Sequence, residues 1–280
     1  MRELAYHVVD VFTDRPFAGN PLAVVLDAEG VPTEALQAIA QEFNLSETAF
    51  PLNVTDDSYD LRIFTPGTEL PFAGHPSVGT AWLLRSLGLV RSGAVTQRCG
   101  AGDLALAVTD ERVELTAGTP SAGPPVDGAP FLAAVGLSGS SPARVASAGL
   151  PWTFVEVPDE DVVRAAPDSA RLRALGDETA GVVVFAWRDG TSHARVFAGG
   201  VGVPEDPATG SAAAAFGAWL AAAGYVPADG ETPYVVLQGA EMGRPSRIEC
   251  AVVTRGGAAV ECRIAGAAVA IATGLIRAPD

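Results

Sequence analysis

The run of apolar and polar positions divides the chain into many short strands and a few helices. Tyr6 to Phe12 alternates and is rich in β-branched residues, which predicts a strand, with Leu22 to Leu26 as its partner. Pro16-Phe17-Ala18-Gly19-Asn20-Pro21, dense in turn formers, lies between them. Pro32 opens a helix on which Leu36, Ile39, Ala40 and Phe43 share one face. It ends near Asn44, and a strand follows from Thr48 to Leu52. Another strand closes on Arg62-Ile63-Phe64, and after a Gly/Pro-rich loop Pro76 to Gly88 reads as a helix. Val95 to Leu115 reads as a meander of short strands, and Thr119 to Pro130, crowded with Pro and Gly, is expected to be a linker. Beyond it lie strands near Val182 to Trp187 and His193 to Phe197, then an Ala-rich helix from Pro207. Strands at Tyr234 to Leu237, Ser246 to Val253 and Ala259 to Ile264 follow.

An internal repeat overlays this pattern. His75-Pro76-Ser77-Val78-Gly79-Thr80-Ala81 matches Asp206-Pro207-Ala208-Thr209-Gly210-Ser211-Ala212 at an offset of 131 residues (206 − 75). Arg62-Ile63-Phe64 precedes the first copy and Arg195-Val196-Phe197 the second. Two related half-sites are therefore expected, one in each half of a chain of 280 residues, a length that favours two domains.

Composition narrows the chemistry. The net charge of −15 repels phosphate backbones and anionic lipid, so neither nucleic acid nor a membrane surface is an expected partner. The continuous apolar run Ala212 to Ala223 is too short to span a bilayer, and Met1-Arg2-Glu3-Leu4-Ala5-Tyr6-His7 has no apolar signal core. A soluble, cytoplasmic protein is the expectation. All 18 basic residues are Arg, so a Schiff-base lysine, a pyridoxal-phosphate anchor and a Walker-type loop are excluded. Cys99, Cys250 and Cys262 show no paired spacing, and with His7, His75 and His193 they form no metal-ligand pattern. No cofactor is expected.

The repeat singles out candidates. With Pro at the first helical position, His75 and Asp206 are expected at helix N-caps, where first-turn amides attract anions, and Gly79 and Gly210 would admit a ligand close to the backbone. Asp206 reads equally well as a plain capping residue, whereas histidine is not a favoured cap, which marks His75 for function. Thr80 and Ser211 either back-bond within their turns or touch a ligand. Glu47, between Leu45 and Phe50 at a helix-to-strand junction, is either a carboxylate whose burial suits it to proton transfer or a strand-edge carboxylate in solvent.

Taken together these segments resemble the PhzF family of phenazine-biosynthesis-like proteins. The resemblance rests on Phe17 to Val25, Asn44-Leu45-Ser46-Glu47-Thr48, Arg62-Ile63-Phe64-Thr65-Pro66 and Glu69-Leu70-Pro71-Phe72-Ala73-Gly74-His75-Pro76. It continues through Glu205 to Ala212, Gln238-Gly239 and Met242-Gly243-Arg244-Pro245-Ser246, in family order over nearly the whole chain. It implies an α+β, diaminopimelate epimerase-like fold of two similar domains. Each would be a curled, mostly antiparallel sheet around a central helix, with the active site in the interdomain cleft. The expected division is 1–118 plus 266–280 against 119–265, the last strand, about Gly266 to Ile276, returning to the first domain.

The resemblance further implies a homodimer and a cofactor-independent isomerase acting on a small carboxylate-bearing metabolite, as in 2,3-dihydro-3-hydroxyanthranilate isomerisation. By position, Glu47 is then the principal acid–base group, with His75 and Asp206 assisting. Gly74, Gly210 and Ser211 would contact substrate, and Asn20 and Ser46, inside matched segments, join them as substrate-binding candidates. Racemase relatives of this fold carry cysteines at the two half-site positions, where this chain has His75 and Asp206, which disfavours a two-thiol mechanism. Ser77 stands where Thr is more usual and Gly199 where Pro is common, departures that touch loop stiffness and packing more than chemistry. Two rivals stay open: hydrolysis of a C–C or C–N bond using the same residues, and a non-catalytic binder of small acids.

Overall fold

The computed structural model describes residues 2–176, 178–199 and 203–279, and the chain divides into two units: Met1–Leu115 with Ala265–Asp280, and Thr116–Ile264. In the first unit β1 (Glu3–Val11), β2 (Asn20–Val25), α1 (Thr33–Phe43), β3 (Glu47–Leu52), β4 (Ser58–Phe64) and β5 (Glu69–Leu70) lead into α2 (Gly74–Ser86). The meander β6 (Gly93–Cys99), β7 (Gly102–Val108) and β8 (Val113–Thr116) follows. The second unit contains β9 (Pro120–Val126), α3 (Ala129–Ala134), β10 (Ala143–Ala148), β11 (Pro151–Glu156), α4 (Asp159–Arg164) and α5 (Ser169–Ala174). It continues with β12 (Val182–Arg188), β13 (Thr191–Ala198), β14 (Val203–Asp206), α6 (Gly210–Ala223), β15 (Gly230–Gln238), β16 (Ser246–Arg255) and β17 (Ala258–Gly266). The last strand, β18 (Ala268–Arg277), pairs antiparallel with β1.

The fold is α+β, and its two units repeat one topology. In the first, β18, β1 and β2 are antiparallel neighbours, β3 joins β2 in parallel, and β4 carries antiparallel β5 and parallel β6. In the second, β9, β10 and β11 are antiparallel, β12 joins β11 in parallel, and β13 carries antiparallel β14 and parallel β15. Each sheet lies against one buried helix. α2 packs on β1, β2, β3, β7 and β18, and α6 on β9, β10, β11 and β16.

Local chemistry explains these elements. α1 buries Leu36, Ile39 and Ala40 on one face and stops where Asn44 turns left-handed at φ 50°. α6 is apolar on nearly every side because protein surrounds it: Phe216 stacks on Trp219, and Phe185 packs edge-on against both. Gly217 is required in it, since an added Cβ would lie 2.7 Å from Tyr234 Oη and 3.0 Å from Cys262 Sγ.

Three expectations are corrected here. The expected linker Thr119 to Pro130 contains β9, which pairs with β10. Its prolines lack N–H donors, and the register shifts between Arg144 and Ala146 opposite them, so the strand forms around the missing bonds. The Ala-rich helix begins at Gly210 rather than Pro207, and Thr209 is its N-cap. Ala73 is the N-cap of α2, which starts at Gly74. His75 therefore lies inside the first turn, Asp206 lies three residues before its cap, and neither is a capping residue.

These helix starts also reset the repeat. The structural offset is 136 residues (210 − 74), which aligns Glu69-Leu70-Pro71-Phe72-Ala73-Gly74 with Glu205-Asp206-Pro207-Ala208-Thr209-Gly210. Each copy carries the same built pair. Arg62 bonds Glu69 at 2.7 Å and lies over Phe64, and Arg195 bonds Glu205 at 2.7 Å and lies over Phe197. His75 is thus the counterpart of Ser211, and Gly79 is not the counterpart of Gly210. A Cβ on Gly79 would approach Val11 Cγ2 to 2.6 Å and Leu22 Cδ2 to 2.8 Å, so that glycine serves helix-to-sheet packing and not ligand approach.

Candidate active site

In the first unit, β3 begins with Glu47 immediately after the turn that ends α1, so its carboxylate is only 16% exposed. Parallel β2 sets Leu22 opposite Glu47, and Asn20 opens that same strand. The first turn of α2 brings the buried imidazole of His75 between them. Its Nε2 lies 3.4 Å from Glu47 Oε2, short of hydrogen-bond geometry, and its Nδ1 lies 3.4 Å from Asn20 Nδ2. The Asn20 NH₂ can only donate, so Nδ1 accepts and the proton of the neutral ring sits on Nε2, the ring nitrogen nearer the Glu47 carboxylate. The first-unit candidates Asn20, Glu47 and His75 are thus brought together, with Gly74 one residue before the imidazole and half-buried Ser46 one residue before the carboxylate.

Burial lowers the His75 pKa from its ordinary 6.5 to about 3. Between those values the unfolded chain binds a proton that the folded protein excludes, so the contribution is full above pH 6.5 and declines as pH falls toward 3. At about 1.4 kcal/mol per pH unit, acidification from pH 7 to 5 should cost about 2 kcal/mol through this residue alone. Urea unfolding at both pH values should show His75→Asn losing less stability than the native chain by about that amount. An equal loss in both proteins would contradict the assignment.

In the second unit, Asp206 ends β14 and accepts a hydrogen bond of 2.5 Å from Thr209 Oγ1. Buried Gln238 holds this entrance to α6. Its Nε2 donates to the Asp206 carbonyl at 2.6 Å and to Thr209 Oγ1 at 3.0 Å, and its Oε1 accepts the Thr209 N–H at 3.2 Å. Gly239 beside it is left-handed at φ 78°, with the Arg244 and Pro207 carbonyls where a Cβ would stand. Gly210 starts the helix, and half-buried Ser211 accepts a 3.2 Å bond from Trp152 Nε1, a protein partner that its sequence position did not announce. A Cβ on Gly199 would lie 2.9 Å from Leu172 Cβ, so this glycine packs closely on α5.

The family model for phenazine biosynthesis-like proteins, PhzC/PhzF, matches residues 9–274. The chain belongs to that family. An uncharacterized isomerase of Mesorhizobium japonicum is 38% identical over 98% of the chain and 99% of its own length. Trans-2,3-dihydro-3-hydroxyanthranilate isomerase of Pseudomonas aeruginosa is 35% identical over 96% of the chain and 98% of its own length. A phenazine biosynthesis protein of the PhzF family from Bacillus anthracis superposes with a TM-score of 0.89 at 27% identity, covering 99% of this chain and all of that one. This PhzF-family protein is an enzyme, an isomerase.

Two of the three cysteines, Cys250 and Cys262, are buried. Burial pushes the Cys262 thiol up to about 12 and the Cys250 thiol well above its ordinary value, so both are protonated and unreactive at neutral pH. Among the described residues no group of three or more His, Cys, Asp and Glu is arranged to hold a metal, and no helix is long and apolar enough to cross a membrane. Sequence reasoning gave no part to Trp152 or Gln97, none beyond family likeness to Gln238, and none beyond repeat and family likeness to Thr209. For the glutamines a signal existed: both occupy inward positions of alternating strands, where a buried amide has to find partners.

Proposed function

We propose that this isomerase shifts a proton on a small unsaturated carboxylate by general acid–base catalysis without a cofactor, and that Glu47 carries the proton. The observation behind this reading is the placement of the Glu47 carboxylate 3.4 Å from Nε2 of a buried, neutral His75. Ionised Glu47 removes a proton from a carbon made acidic by neighbouring unsaturation and returns it at another carbon on the same face. A neutral imidazole suits the assisting role, because it donates to a developing negative charge without releasing a proton to solvent. Asp206 is assigned a second assisting role, with Gly74, Gly210, Ser211, Asn20 and Ser46 contacting substrate. The compound in the name of the Pseudomonas aeruginosa relative, trans-2,3-dihydro-3-hydroxyanthranilate, is of the required class.

The test is proton NMR of that compound with the enzyme in D₂O. Isomerisation is the expected result, with solvent deuterium entering at the receiving carbon in those turnovers in which the Glu47 carboxyl exchanges with solvent before returning its proton. Cleavage into fragments would replace isomerisation by hydrolysis. Saturable binding with no exchange would leave a small-acid binder.

A further inference from the structure

Beneath the His75 turn runs a chain of hydrogen bonds that the reaction itself does not use. Tyr59 on β4 and Gln97 on β6 are register partners across a parallel pair, and both are fully buried. Tyr59 Oη donates to Gln97 Oε1 at 2.9 Å, Gln97 Nε2 donates to Ser77 Oγ at 2.9 Å, and Ser77 Oγ donates to the Ala73 carbonyl at 2.9 Å. The Gln97 amide sets the direction of this chain: with its Oε1 toward the phenol, Tyr59 donates, the amide NH₂ faces Ser77 and the Ser77 hydroxyl proton goes to the Ala73 carbonyl. Ala73 is the N-cap of α2, with no side-chain hydrogen bond of its own, and Gly74 and His75 follow it directly.

A polar chain of this depth is a demanding way to fill a core, since each member carries its desolvation cost and an unmatched link would be worse than an apolar residue. What it supplies is a fixed position for one carbonyl. The second unit also sets a buried glutamine at the start of its helix, there in direct contact, with Gln238 bonded to the Asp206 carbonyl and to the Thr209 N–H at the start of α6. A buried glutamine thus anchors the entrance to the central helix in both units, at positions that no repeat register aligns.

Resting on the function proposed above, we infer that Gln97 is a positioning residue, which acts through Ser77 and Ala73 to hold the His75 imidazole against Glu47. Its loss lets the first turn of α2 relax, and the imidazole drifts while the sheet and helix persist. A displacement of that kind costs chemistry more than binding.

The test compares Gln97→Met, similar in shape but unable to hydrogen-bond, with Tyr59→Phe, which removes only the outermost donor and is the milder change should the first fold poorly. Two quantities are read: the ¹⁵N imidazole resonances of His75, assigned by their loss in His75→Asn, and turnover of trans-2,3-dihydro-3-hydroxyanthranilate. Gln97→Met is expected to shift or broaden the His75 resonances and to lower kcat by roughly 10- to 100-fold with KM within about threefold. Tyr59→Phe should move both in the same direction by less. A folded Gln97→Met with a lower melting temperature but unchanged His75 resonances would overturn the inference and leave the relay a packing feature. Should the native enzyme not turn over that compound, the function proposed above fails on its own, and the resonances still decide the part played by Gln97.

Discussion

Glu47→Gln is expected to lower turnover by about 10²- to 10⁴-fold, the range that a positioned general acid or base contributes. The amide keeps the shape of the side chain, but it can neither accept a proton from carbon nor return one. Structure should survive the change. Glu47 is the first residue of β3, its backbone is fixed by parallel pairing with β2, and its side chain keeps a 16% opening to solvent. The far-ultraviolet spectrum and unfolding midpoint should therefore match the native protein while deuterium incorporation disappears. Turnover within about threefold of native would remove Glu47 from the chemistry and return it to the strand-edge role that spacing alone allows. The variant separates two readings that activity loss by itself confuses, because a pure anion binder would hold its ligand more tightly once the carboxylate is neutral.

The strands and the long helices were legible because their periodicity is strong. α1 shows its buried face in Leu36, Ile39 and Ala40, and β16 alternates along Ser246–Arg255. The stretch from α3 to α5 was not, since α3, α4 and α5 are six residues each, less than two helical turns, and the six-residue β10 and β11 do not alternate between buried and open positions. Helix starts were misplaced for a related reason. Pro76 and Pro207 looked like first helical residues, but Gly74 and Gly210 start the helices, and an Ala/Gly-rich match concealed the offset of the Glu-x-Pro-x-x-Gly repeat. Within the site, no spacing rule links Asn20, Glu47 and His75, which come from β2, β3 and α2. Their approach depends on a parallel strand pair and a crossover helix, both properties of topology, and family likeness was the only sequence signal that joined them.

The same repeat predicts unequal costs for one substitution made twice. Arg62→Met should cost less than about 1 kcal/mol, and Arg195→Met about 3–5 kcal/mol. The two arginines occupy matching strands and each makes a double contact with its glutamate, so pair geometry does not distinguish them. Burial does. Arg62 and Glu69 are 28% and 39% exposed, whereas Arg195 and Glu205 are 8% and 14% exposed. Water screens the first pair and would solvate the glutamate left behind. In the second, Arg195 Nη1 also donates to the carbonyls of Val162, Val163 and Ala165 at the end of α4, so its loss strands an anion and several acceptors. Urea unfolding of the two variants measures the difference, and equal losses would show that the second pair is solvated like the first. Arg195→Met/Glu205→Leu should recover much of the loss by removing the stranded charge along with its partner. That recovery would not extend to Asp206. Asp206 pairs with Val196 in the β13–β14 ladder, and the Arg195–Glu205 contact braces that ladder beside it, so the double variant should regain stability while staying impaired in turnover.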